Sequence, residues 1–181
     1  MTLYLNRLFR AAKLDTGLYD EVMADKKAQF QAMMTVFIYS MAAAYGSFGR
    51  SGTAGINFGM ITTLFGWYVW AFSTYFIGTR LLPGAQSEIE RKSLLRVLGF
   101  ASSPGLIRLL GLVPGLSGII FLIATIWMIA TSTVALKQVL NFESVYRAAG
   151  VCVIAWIISA IFQGLLYIIL LSVFGISTSA F

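Results

Sequence analysis

The sequence predicts an all-α fold: a polytopic helical membrane protein with five transmembrane helices, its N-terminus cytoplasmic and its C-terminus outside. Three observations carry that expectation. Hydrophobic residues make up 59% of the 181 and charged residues 11%, with a mean hydropathy of +0.84; an ordinary soluble domain carries roughly 25% charge. From Ser93 to Leu136 the chain runs forty-four residues with two charges, Arg96 and Arg108. At about 1.5 Å per helical residue that is enough to cross a ~30 Å hydrocarbon core twice. The basic residues gather on the N-terminal tail and in short segments beside apolar runs, with no cluster interleaved with stacking aromatics. The net charge of +6 therefore reads as membrane orientation and not as nucleic-acid binding.

Residues 1–27 hold five Lys/Arg and four acids without an apolar run of signal-peptide length, so no cleaved signal is expected. Leu5, Leu8, Phe9 and Ala12 follow helical spacing, with Arg7, Arg10 and Lys13 off that stripe. This predicts a short amphipathic helix on the cytoplasmic leaflet, where basic side chains meet anionic lipid. Residues 28–181 read as one five-helix membrane domain. The first span is the charge-free run 28–49. A Gly-rich stretch (Gly52, Gly55, Gly59) is expected to loop into the second, about 58–82, which Pro83-Gly84 ends by removing a donor and favouring a C-terminal turn. Ser87-Glu88-Ile89-Glu90 matches a capping box and is expected to start the helix of the third span, about 94–113. Pro114-Gly115 makes the hairpin to the fourth, about 116–139, and the fifth covers about 148–174.

With the N-terminus inside, the inner segments collect Arg7, Arg10, Lys13, Lys26, Lys27, Arg80, Arg91, Lys92, Arg96, Lys137 and Arg147, leaving Arg50 and Arg108 outside. The positive-inside rule favours this arrangement. A competing topology makes 94–113 a re-entrant pair of half-helices broken at Pro104 and returns the C-terminus to the cytoplasm, with a poorer charge split.

Candidate ligand-facing or structural residues are Trp67, Trp70, Tyr75, Pro104, Arg108, Pro114, Trp127 and Gln163. Arg108 is the only charge well inside the apolar stretch, and ionisable residues at membrane depth are functional candidates. Its long side chain can also snorkel to the outer interface or make a structural hydrogen bond; a headgroup or partner contact is the functional alternative. Pro104 frees a backbone carbonyl within the third span, with Ser102 and Ser103 beside it to compensate. It either kinks a helix lining a cavity or is packed around. Trp67, Trp70 and Tyr75 fall around the middle of the second span and need partners for their polar atoms. Gln163, mid-span, needs an interhelical partner. Small residues four apart (Ala42/Gly46, Gly55/Gly59, Gly111/Gly115, Ala160/Gly164) suit close helix packing.

Catalytic chemistry is not expected. Histidine is absent, the single cysteine, Cys152, lies in an apolar run, and all seven acids (Asp15, Asp20, Glu21, Asp25, Glu88, Glu90, Glu143) fall outside the predicted spans. No cofactor, metal site or phosphate-binding glycine loop is read.

The order of segments carries a family resemblance. Leu18-Tyr19-Asp20-Glu21-Val22 leads into the first span; the second holds Gly66-Trp67-Tyr68-Val69-Trp70 and ends Gly78-Thr79-Arg80-Leu81-Leu82-Pro83. Then follow Leu98-Gly99-Phe100-Ala101-Ser102-Ser103-Pro104-Gly105, Leu112-Val113-Pro114-Gly115 and Ile126-Trp127. Over nearly its whole length the chain resembles the prokaryotic branch of the Yip (Ypt-interacting protein) domain family, small five-span membrane proteins. The resemblance implies five helices and a cytoplasmic N-terminus, agreeing with the charge count, and location in a prokaryotic cytoplasmic membrane. Eukaryotic relatives are associated with Rab-type GTPases, but their Asp-Leu-Tyr-Gly-Pro motif is absent here, so such a partner enters only by distant analogy. The expected role is a non-enzymatic scaffold, adaptor or membrane-organising subunit, with the bilayer and other membrane proteins as partners. The alternative is a small transporter or permeation subunit for an apolar or lipid-like ligand.

Overall fold

In a computed structural model of the chain, which describes residues 3–46, 48–82 and 89–174, every regular element is helical. Helices α1 (Leu3–Ala12) and α2 (Thr16–Ala24) form an N-terminal hairpin. They are followed by α3 (Ala28–Gly46), α4 (Phe48–Phe76) with a π-helical extension at Ile77–Leu81, α5 (Arg91–Ala101), a 3-10 helix (Ser103–Leu112), α6 (Ser117–Val139) and α7 (Val145–Phe174). Three helical segments, 91–112, 117–139 and 145–170, are each long and apolar enough to cross a membrane.

The segment 91–112 forms the centre, 67% buried against 11% for 145–170. Around it pack α3, α6 and the N-terminal hairpin, while α4 lies between α3 and α7. The buried faces follow helical periodicity. On α4 it is Trp67, Trp70, Ala71 and Thr74; on α7 it is Ala148, Val151, Cys152, Ala155 and Ser159, small side chains that let α4 approach. The opposite face of α7 is exposed and apolar, with Ile154, Ile157, Ile161 and Leu165 between 45% and 58% exposed.

The sequence expectations differ from the fold at several points. The glycine-rich stretch is not a loop: α4 begins at Phe48, well before residue 58, and runs through it without a break. In an apolar setting, backbone groups left out of a helix have no water to bond, and small residues are tolerated. Pro83-Gly84 and Ser87-Glu88 lie outside the described residues. Glu90 is the N-cap residue of α5 and makes no side-chain capping bond, so that helix starts at Arg91. The third predicted span is not one kinked α-helix. Its α-helical part stops at Ala101, and Pro104, at the start of the 3-10 helix, marks a change of helix type. At this junction Ser102 Oγ donates to Leu98 O (3.0 Å), which also accepts from the Ser102 backbone N–H, and Thr131 Oγ1 of α6 donates to Ala101 O (2.7 Å). Pro114-Gly115 does form the expected turn between the 3-10 helix and α6, with Gly115 at φ +80, a conformation that glycine adopts without strain.

The N-terminal segment folds onto the bundle. Arg7, Leu8 and Ala11 are its buried face, while Leu5 and Phe9 stay exposed. Ser103 Oγ donates to Leu8 O (3.2 Å), Trp127 Nε1 to Ala12 O (2.8 Å), and Gln138 Nε2 to an Asp20 carboxylate oxygen (2.8 Å).

Candidate functional site

A cavity of about 60 Å³ opens between α3, α4, the 3-10 helix, α6 and α7. Four of the eight sequence candidates line it: Trp67, Trp70, Arg108 and Gln163. They arrive from three elements. Trp67 and Trp70 sit one turn apart on the buried face of α4, Arg108 comes from the 3-10 helix, and Gln163 from α7. Trp156 of α7 adds a third indole to the wall.

The polar atoms of the site are mostly anchored. Trp67 Nε1 donates to Ser102 Oγ (2.8 Å), so the serine beside Pro104 serves both its own helix and the indole. Ser159 Oγ donates to Gly66 O (2.6 Å) and accepts from Gln163 Nε2 (3.0 Å). The Gln163 side chain lies directly over Gly66.

Arg108, of intermediate exposure, reaches Tyr39 and Thr125 within the bundle. Nη1 donates to the Tyr39 hydroxyl (3.0 Å) and Nη2 to Thr125 Oγ1 (2.9 Å), which in turn donates to Phe121 O (2.8 Å). The guanidinium carbon lies 5.2 Å from the Tyr39 ring centre and 5.1 Å from that of Phe121, within cation–π range. Its Nε is buried without a hydrogen-bond partner, and among the described residues no carboxylate lies within ion-pair distance. Close backbone approach holds the arginine there: a Cβ on Gly46 would overlap the Arg108 carbonyl oxygen, so only glycine lets the end of α3 reach the 3-10 helix.

The other four candidates lie elsewhere. Pro104 is buried one turn before Arg108 and shapes the helix that carries it. Tyr75 is partly buried against the core, Pro114 lies in the exposed turn, and Trp127 ties α6 to α1. Sequence reading missed Tyr39, Thr125, Trp156 and Ser159. Tyr39 could have been found by the rule that singled out Trp67, since a tyrosine mid-helix in apolar sequence also needs a partner for its polar atom.

A second polar cluster ties the N-terminal hairpin together. Arg7, 4% exposed, donates from Nε to Glu21 (2.9 Å), from Nη2 to Asp25 (2.8 Å) and from Nη1 to Gln31 Oε1 (2.9 Å). Arg10 pairs with Asp15 and Glu21. These contacts move the carboxyls. The Arg7 hydrogen bond holds Asp25 below its ordinary range, and the Arg10 bond does the same for Asp15. At Glu21 burial pushes upward, but the bonds from Arg10 and Arg7 outweigh it and the net shift is down. Neither cluster assembles a metal-ligand set: among the described residues no group of His, Cys, Asp and Glu could hold an ion.

A family model for the Yip1 domain matches residues 19–166, from within the hairpin's second helix through Gln163 and the cavity. No curated protein and no solved structure matches the chain. The match spans most of the sequence and takes in every residue of the cavity: this chain belongs to the Yip1 domain family.

Proposed function

We propose that this protein is a non-enzymatic integral membrane protein whose bundle holds a lipid-like ligand, the ligand's polar part lying between Arg108 and Gln163. The observation that carries this reading is the cavity, on which three indoles, an arginine, a tyrosine and a glutamine converge. Apolar walls with a few placed polar groups are the general form of a small-molecule site. The five-span topology with a cytoplasmic N-terminus belongs to the same proposal. It is supported by the charge distribution and by α3 and α4, which at about 1.5 Å per residue are helices of 19 and 29 residues lying beside the three apolar segments.

Native mass spectrometry from mild detergent tests the reading. The wild-type chain is expected to retain a lipid-sized mass, and Ser132→Phe, which places a ring in the cavity, is expected to lose it. Wild-type protein free of any retained amphiphile would refute ligand binding. Reporter fusions at residue 85 and at the C-terminus test the topology; five crossings require the first to report cytoplasmic and the second external.

A scaffold or adaptor role is a second reading, favoured by the exposed apolar face of α7. Such a face meets either lipid chains or another helix. Crosslinking from Ile157 or Ile161 to a second protein would support the role, and capture of lipid alone would not.

A further inference from the structure

We infer that the Arg108 end of the cavity receives a single negative charge, the oxyanion of an amphiphile's head: a phosphodiester or a carboxylate. The inference rests on the ligand-binding reading above and adds the charge of the ligand. Three observations lead to it.

The first is an unbalanced cation. A guanidinium has five N–H donors, of which Arg108 uses two, both on neutral hydroxyls, while its buried Nε–H has no partner. A cation half-buried in an apolar bundle, with no carboxylate in ion-pair distance among the described residues, is costly. The rings of Tyr39 and Phe121 soften that cost without removing it.

The second is the direction of the hydrogen bonds. Tyr39 accepts from Arg108, so its own proton is left to give, and Thr125 spends its proton on Phe121 O. What remains unused around the guanidinium is donor capacity, the complement of an oxyanion and the wrong surface for an amine or an amide N–H.

The third is size and count. About 60 Å³ accommodates a headgroup's charged oxygens and not an acyl chain, since a single water already needs about 10–15 Å³ on the same measure. One cation balances one charge, so a monoanion leaves the site neutral while a dianion would leave a net charge in apolar surroundings. Trp67, which walls the cavity, also borders an apolar groove of about 460 Å³ between α3 and α4 with Met33, Phe37 and Leu64; that groove supplies room for a tail.

The test uses intrinsic fluorescence, because three of the four tryptophans, Trp67, Trp70 and Trp156, line the site. The full chain in zwitterionic micelles at fixed ionic strength is titrated with chain-brominated phosphatidylglycerol and, separately, with chain-brominated phosphatidylcholine as quenchers. Half-quenching by the anionic lipid is expected at a concentration lower by about tenfold. Arg108→Gln is expected to bring the two lipids together, while Lys26→Gln with Lys27→Gln, remote surface charges, keeps the preference. Inorganic phosphate added to the lipid-loaded chain is expected to leave the quenching unchanged. If phosphate alone displaces the lipid, the site takes a free anion and the lipid source is overturned. Equal quenching by both lipids in the wild-type chain overturns the anion inference while leaving ligand binding intact, and this comparison needs no variant to fold. No quenching by either lipid overturns the reading beneath it.

Discussion

Arg7, buried, and Arg108, half-buried, sit in one bundle with opposite company. Around Arg7 stand two carboxylates and an amide, each within 2.9 Å. Around Arg108 stand two hydroxyls and two aromatic rings, and its Nε is unbonded. An arginine whose charge is answered by its own chain is a fastener, and here it closes α1 and α2 onto α3. Arg108 stands half-buried among neutral groups, with no carboxylate in ion-pair distance among the described residues, which suits it to a ligand. The contrast implies different responses to mutation, acid and lipid.

The largest effect is expected at Arg7. Arg7→Met strands Glu21 and Asp25. Removing one partner of a buried pair costs about 3–5 kcal/mol, but these carboxylates are 35% and 32% exposed and water takes part of the load. We expect a loss of roughly 2–3 kcal/mol, read as a lower melting temperature and as proteolysis between α1 and α3. Next is Gly46→Ala, whose new methyl overlaps the Arg108 carbonyl. Overpacking of this kind costs about 1–3 kcal/mol, and the displaced 3-10 helix should also weaken lipid retention, which Arg7→Met leaves in place. Trp67→Phe removes the bond to Ser102 at about 1 kcal/mol and is visible in thermal melts.

Acid is expected to loosen the hairpin. The folded-state values of Asp15, Glu21 and Asp25 are depressed. Their contribution is therefore complete at neutral pH and is lost as pH falls from the ordinary carboxylate range, about 4, through the folded values. Proteolysis of the hairpin should rise over that interval, and Arg7→Met should flatten the dependence. The smallest effect on stability is expected for Arg108→Met in the absence of anionic lipid. It removes two hydrogen bonds together with the cost of a withdrawn cation, terms of similar size and opposite sign, so the change should stay within about 1 kcal/mol.

Much of this contrast was legible in the sequence, but unevenly. Arg108 stood out because a charge inside an apolar run is conspicuous, whereas Arg7 read as one of several basic residues on a tail. Its burial depends on Glu21, Asp25 and Gln31, brought to it by the turn between α1 and α2. Of the predicted apolar stripe, Leu5 and Phe9 stay exposed, while the face packed on the bundle is Arg7, Leu8 and Ala11, because a neighbouring surface selects the face a helix buries. The partners of Arg108 lie 69 and 17 residues away, so neither follows from spacing along one helix. Pro104 signalled a break, but not that a 3-10 helix would follow it and carry Arg108 inward. The glycines at 52, 55 and 59 were read by the rules of water, where they favour loops, although the helix there is continuous.

Melting of wild-type, Arg7→Met and Arg108→Met protein in zwitterionic micelles, with and without phosphatidylglycerol, tests the distinction between the two arginines most directly. Phosphatidylglycerol is expected to raise the melting temperature of wild-type and of Arg7→Met protein by a similar increment and to leave Arg108→Met unchanged. An undiminished rise in Arg108→Met, or none in the wild type, would contradict it.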